Sequence, residues 1–138
     1  MRQITEEQGL ALIKEFQKEN YSNLSIHDDE TFGFMEEMRD HEYAYLFEAS
    51  ISEPYAEGAD RLSKLLQVLK PEIDALGKAP QYFNFQILAT KDASIHMSEM
   101  DAMQDFIDAY EDIKIVWSLH TIEAKAHTIK MQIITVTR

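Results

Sequence analysis

The sequence predicts an α/β domain, a two-layer sandwich with a four-stranded mixed sheet preceded by a short helical N-terminal segment. Three observations point there. Along the body, aromatic and β-branched runs alternate with helical stripes in the order strand, helix, strand, helix, strand, strand. The composition, 45% hydrophobic and 28% charged with 4 glycines and 3 prolines, is that of a folded globular chain. A length of 138 residues supplies one ordinary core but not two.

The elements follow in order. TEEQGLALIKEFQKEN opens with Thr5 as N-cap and Gln8 three residues on, a capping box, and carries Leu12, Ile13 and Phe16 at helical spacing. Gly9 within it costs about 1 kcal/mol relative to Ala. YSNLSIHDD reads as a turn, and ETFGFMEEMRD as a short second helix with Phe34, Met35 and Met38 on its apolar edge. YAYLFEASI reads as a strand, since Glu48 is its only charge. Ala59, Leu62, Leu65, Leu66 and Leu69 then repeat at three and four, and Pro71 predicts the stop of that helix. YFNFQILAT is the second strand. Ser98 caps the next helix, whose Met100, Met103, Ile107 and Tyr110 share one face. Finally IKIVWSLHTI and HTIKMQIITV, joined by a short linker, predict a terminal hairpin.

Charge limits the partners. The chain carries 25 acidic and 13 basic residues, a formal net charge of −12 that opposes phosphate backbones and anionic lipid, so neither nucleic acid nor membrane is expected as a partner. The charge is uneven: residues 1–42 carry −7 and residues 43–138 carry −5, which divides the chain into an acidic helical arm and a more apolar body. With no cysteine there is no disulfide framework and no thiol chemistry. The start MRQITEEQGLALIKEF has neither the basic opening nor the unbroken apolar run of a secretory leader, and a cytoplasmic location is expected.

From about Tyr43 to Arg138 the wording resembles the C-terminal domain of the FtsZ/tubulin family of cell-division GTPases. Glu48-Ala49-Ser50-Ile51 before the helix of Ala59 to Leu69 is similar to that family's Glu-Ala-Ser-Gly strand end. Phe85-Gln86-Ile87-Leu88, followed by Met97-Ser98-Glu99-Met100-Asp101, is similar to its next strand and acidic helix opening. Ile115-Val116-Trp117-Ser118 and Met131-Gln132-Ile133-Ile134-Thr135-Val136 match its closing pair. The resemblance implies the fold, and implies that the GTPase domain, which lies N-terminal in the family, is missing. Gly9, Gly33, Gly58 and Gly77 are each isolated and build no phosphate cradle, so no GTP binding and no cofactor is expected. The family's loop carrying an Asn and two Asp aligns with Ser25, His27 and Glu30, leaving Glu30 as its one acid. The family's tail for membrane adaptors is also expected to be absent after Arg138.

Three local sets could carry chemistry. His120, Glu123 and His127 would come together at the rim of a terminal hairpin, and two imidazoles with a carboxylate are a known metal set; solvated rim residues are the plainer reading. His27-Asp28-Asp29-Glu30 lacks the ligand order of a calcium loop and reads as a solvated turn. Met97, Met100 and Met103 could line an adaptable groove, but their helical spacing favours core packing. The sequence therefore names no catalytic, cofactor-binding or metal-ligating residue and predicts no enzyme. It predicts a non-catalytic interaction module in which the aromatics Tyr43, Tyr45, Phe47, Tyr82, Phe83, Phe85 and Trp117 exceed what a one-sided core must hide. The expected partner is a second copy or an FtsZ-like protein, with cell division or cytoskeletal assembly as the setting. The alternative is a small-molecule or enzyme-like domain with a strand-end cleft drawing on His96, His120 and Glu123.

Overall fold

A computed structural model describes residues 1–18, 27–54, 60–122 and 126–138, with the side chains of all these except 16–18, 27–30 and Ile122. Its elements are β1 (Arg2–Ile4), α1 (Glu6–Lys18), α2 (His27–Glu37), β2 (Ala44–Ser52), α3 (Arg61–Asp74), β3 (Pro80–Thr90), two short 3-10 turns at Lys91–Ala93 and Met97–Met100, α4 (Asp101–Asp108), β4 (Lys114–Ile122) and β5 (Thr128–Thr137).

The four-stranded strand-helix-strand-helix-strand-strand sheet is overturned. The sheet has five strands in the order β1-β2-β5-β3-β4. The first segment is not only helical, because β1 pairs antiparallel with β2 through Arg2↔Leu46 and Ile4↔Ala44. The terminal hairpin is also wrong: β5 lies between β2 and β3, antiparallel to both, while β4 runs parallel to β3. Burial explains the exchange. β5 is buried continuously from Met131 to Thr137, so it needs neighbours on both sides, whereas β4 carries several exposed residues and fits a border. The parallel β3–β4 pair requires a crossover, which α4 supplies.

Both faces receive helices. On one, Phe47, Phe83, Phe85, Ile87, Met131 and Ile133 meet the apolar stripes of α3 and α4, with Phe106 at 5.7 Å ring-centroid distance from both Phe83 and Phe85. The other face is apolar only at one end, where Leu46, Tyr82, Ile134 and Val136 meet Ile13 of α1 and Phe34 and Met38 of α2. The start of α1 is the expected capping box: the Thr5 amide donates to Gln8 Oε1 at 2.9 Å and the Gln8 amide to Thr5 Oγ1 at 3.2 Å. Gly9 has a packing reason to be there, since a Cβ at this position would stand 2.5 Å from Phe34 Cζ. α2 begins at His27, so the HDDE stretch has a helical backbone rather than that of a turn.

α3 runs through Pro71 to Asp74 instead of stopping before it. The cost of proline is low here because Gln67, whose carbonyl loses its partner, is exposed to water. At the start of the same helix Arg61 is fully buried. Its guanidinium donates from Nε and Nη2 to Glu99 at 3.2 and 2.6 Å, from Nη1 to the carbonyls of Glu53 and Ala93 at 3.1 and 3.0 Å, and from Nη2 to that of Ser94 at 3.0 Å. All five N–H groups are used. The clamp ties the exit of β2 and the start of α3 to both 3-10 turns.

Candidate functional site at the open edge of the sheet

β4 closes one side of the sheet. It pairs with β3 from Tyr82↔Lys114 to Thr90↔Ile122, and no described strand lies on its other side. Ile115, Trp117 and Leu119 stand opposite Phe83, Phe85 and Ile87 and so share the face covered by α4. Ile115 reaches the core, but Trp117 remains 51% and Leu119 37% exposed. Length accounts for this. The 8 residues of α4 span about 12 Å, and the 9 residues of β4 about 30 Å, so the helix cannot shield the strand along its whole course. A row of backbone hydrogen-bonding groups beside two exposed apolar side chains is a template for another strand.

The opposite face of β4 is held by a buried polar ladder. Asn84 Nδ2 donates to the Tyr82 hydroxyl at 3.1 Å, Gln86 Nε2 to Asn84 Oδ1 at 2.6 Å, and Gln86 Oε1 then meets His120 Nε2 at 2.8 Å. With the amides oriented this way, Gln86 Oε1 is the acceptor facing the His120 ring. A slip of β4 by one residue would turn His120 out of this ladder, which pins the register of the edge. Gln132, next to Gln86 on β5, is also fully buried, and neither atom of its amide has a hydrogen-bond partner among the described residues.

The segment leading into β4 is acidic in sequence, and cations from elsewhere in the chain lie against it: Lys70 lines the groove beside Asp105, and Arg138 Nη2 donates to the Asp112 carbonyl. β4 has a single charged side chain, Lys114, 3.8 Å from Glu37. Between Lys91 and Lys114 there is no lysine or arginine, and Asp101, Asp105, Asp108, Glu111 and Asp112 are all exposed. Glu99, the remaining acid of α4 and the turn before it, is the one neutralised by Arg61.

The structure does not assemble the other sets. β3 lies between β4 and β5, so His120 and His127 do not face one another as a hairpin would require. Glu123 lies outside the described residues. His127 has a left-handed backbone, φ 47°, and its ring Nδ1 lies 3.4 Å from Asp92 Oδ2 while its amide donates to Asp92 Oδ1 at 3.1 Å. The Thr90 hydroxyl, donating to the same carboxylate at 2.6 Å, is the main cause that holds Asp92 below the usual carboxylate range. This is a clasp between the ends of β3 and β5. Among the described residues no group of three His, Asp or Glu could hold a metal ion. Ser25 and the side chains of His27 to Glu30 lie outside the described residues.

Met97, Met100 and Met103 separate: Met103 is buried, Met100 half-buried, and Met97 84% exposed. His96 is exposed, and its carbonyl accepts the Glu99 amide at 2.9 Å. A groove of about 240 Å³ runs between α3 and α4 along Leu66, Lys70, Asp105 and Phe106, and a hollow of about 370 Å³ lies against Pro80, Tyr110 and Arg138. Neither draws on His96, His120 or His127. Sequence reasoning passed over Arg61 and the edge status of β4. The first had a signal, because Arg61 stands on the stripe of Leu65 and Leu69 at four-residue spacing.

Among the described residues no helix is long and apolar enough to cross a membrane. No protein-family model and no curated protein matches the chain. The chain is similar in structure to an empty FtsZ dimer of M. jannaschii, at 9% identity and a TM-score of 0.43 over 67% of this chain. It spans 26% of that chain's length, a distant and partial likeness at most. A likeness of that grade adds nothing to what the residues of this chain show by themselves.

Proposed function

We propose that this chain is a non-catalytic protein-interaction module that docks a partner by strand addition along β4. The observation that supports the reading is the border position of β4, with no described strand on its outer side and Trp117 and Leu119 exposed on it. The register of the edge is fixed beforehand by His120 and Gln86, so little ordering is left for the moment of binding. The aromatics counted as surplus in the sequence reduce to two exposed rings, Tyr43 and Trp117, and only Trp117 belongs to the edge.

The resemblance noted in the sequence suggests two partners, a second copy of the chain and an FtsZ-like protein, and it makes cell division or cytoskeletal assembly the place to look. Trp117 is the only tryptophan, so its emission reports directly on the edge. The test is sedimentation at micromolar concentration, alone and with a candidate partner, alongside that emission. Association that shifts Trp117 to the blue and is lost in Leu119→Lys supports strand addition. Association that leaves Trp117 and the Leu119→Lys variant unaffected overturns it.

A further inference from the structure

α2 is apolar on both of its faces. Phe34 and Met38 turn inward and are buried with Ile13 against the sheet, whereas Phe32 is 69% and Met35 45% exposed. A helix with one neighbour needs only one apolar stripe, so a second stripe calls for a second neighbour. Counted along the chain, the outer stripe is Asp28, Phe32, Met35 and Arg39, at steps of four, three and four, the spacing of a seam between two helices. The helical path carries on past Glu37 to Arg39, since the Met38 amide donates to the Phe34 carbonyl at 3.0 Å and the Arg39 amide to that of Glu36 at 3.2 Å. Arg39 is exposed, and its guanidinium has no partner among the described residues.

The order along this stripe is acid, apolar, apolar, base. Turned about a two-fold axis through its midpoint, the stripe meets itself with position 28 opposite 39 and position 32 opposite 35. We infer that α2 is a self-association surface, along which two copies of the chain pair their α2 helices antiparallel. Phe32 of each copy then packs on Met35 of the other, and each end of the seam joins Asp28 to Arg39. The antiparallel direction also sets the two helix dipoles in their favourable sense. Asp29 and Glu36 occupy positions beside the seam rather than in it. The net charge of −12 opposes any pairing of copies, but at physiological ionic strength its long-range field is screened beyond about 8 Å, while charges in contact are screened less. An 11-residue helix spans about 16 Å, so this contact is smaller than a standard interface. It should form only well above the micromolar concentrations that test β4, and it uses no residue of that strand.

The test is sedimentation equilibrium of the full chain at physiological salt, in a series rising to about 1 mM, with Trp117 emission followed alongside. The unaltered chain should dimerise reversibly along the series and leave the emission unchanged. Phe32→Lys and Met35→Lys, both at exposed positions, should remain monomeric with an unchanged far-UV spectrum. Asp28→Lys and Arg39→Glu each set like charges at both ends of the seam and should weaken the dimer by about tenfold. Mixed together, these two variants have opposite charges at both ends again and should associate as tightly as the unaltered chain. A monomer at every concentration overturns the inference. So does a dimer that persists in Phe32→Lys and Met35→Lys, or a failure of the two charge variants to associate on mixing while each keeps its helical spectrum. A dimer whose formation shifts Trp117 is built on β4, which rejects the α2 surface and keeps the strand-addition reading.

Discussion

Arg61→Met tests whether the buried clamp holds the body together. Arg61 is fully buried and Glu99 is 4% exposed, so the pair is beyond solvent screening. Methionine keeps most of the side-chain stem but leaves the Glu99 carboxylate without its cation and removes the donors to the carbonyls of Glu53, Ala93 and Ser94. Breaking a buried pair by removing one partner costs about 3–5 kcal/mol, because the remaining charge is uncompensated. A chain of 138 residues is expected to be stable by about 7–20 kcal/mol, so the loss would be a substantial fraction of the total. Urea unfolding followed by far-UV circular dichroism should show the midpoint falling by about 1.5–3 M at a typical slope for a small protein. Arg61→Met/Glu99→Leu removes both charges and should recover the part of the loss that comes from the uncompensated carboxylate, while the carbonyls of Glu53, Ala93 and Ser94 still lack their donor. A loss below about 1 kcal/mol in the single variant, or a double variant worse than either single, would refute the clamp.

Three further outcomes are expected. Gly9→Ala should destabilise the chain by about 1–2 kcal/mol on thermal unfolding although alanine favours helices, because overpacking against Phe34 outweighs the propensity gain; a more stable variant would contradict the close approach of α1 and α2. Gln132→Met should raise the urea midpoint, by about 1 kcal/mol of stability, since it removes a buried amide with no partner among the described residues; a loss would mean that the amide is satisfied in solution. Tyr110, whose hydroxyl donates to Asp74 Oδ1 at 3.1 Å, has its ionisation pushed well above the ordinary 10.0, first by burial and then by the Asp74 charge. The unfolded chain loses that proton near its ordinary value and the folded chain holds it, so this contribution is complete below pH 10 and declines as pH rises further. Melting temperature against pH should fall less steeply on the alkaline side in Tyr110→Phe.

What could be read from the sequence was local. The capping box of Thr5 and Gln8, the stripe of Leu62, Leu65, Leu66 and Leu69, and the four long strands each depend on neighbours within a few residues, and each stands in the structure where its pattern puts it. Pairing is a different kind of information. Arg2-Gln3-Ile4 is too short to show alternation and becomes a strand only because β2 offers it an edge. Pro71 signals a stop only if the carbonyl it orphans is buried, and here that carbonyl belongs to an exposed turn. His120 and His127 are close in sequence, which suggested a shared site, but the strands that carry them are separated by β3.

The placement of β5 decides where β4 lies. MQIITV is apolar on both faces except for Gln132 and Thr135, so a strand of this kind gains most with neighbours on each side. β2 and β3 are parallel to one another, each antiparallel to β5, and the last strand of the chain completes the sheet by entering between them. Once β5 occupies that position, the remaining place for β4 is outside β3. There the polar ladder holds its inner face through His120 Nε2, while α4, too short to reach across, leaves Trp117 and Leu119 exposed. A terminal hairpin would have given β4 a neighbour on each side and left β5 at the border, with its doubly buried residues exposed. The same sequence pattern that calls β5 to the centre therefore also puts β4 at the border of the sheet, with no other described strand beside it.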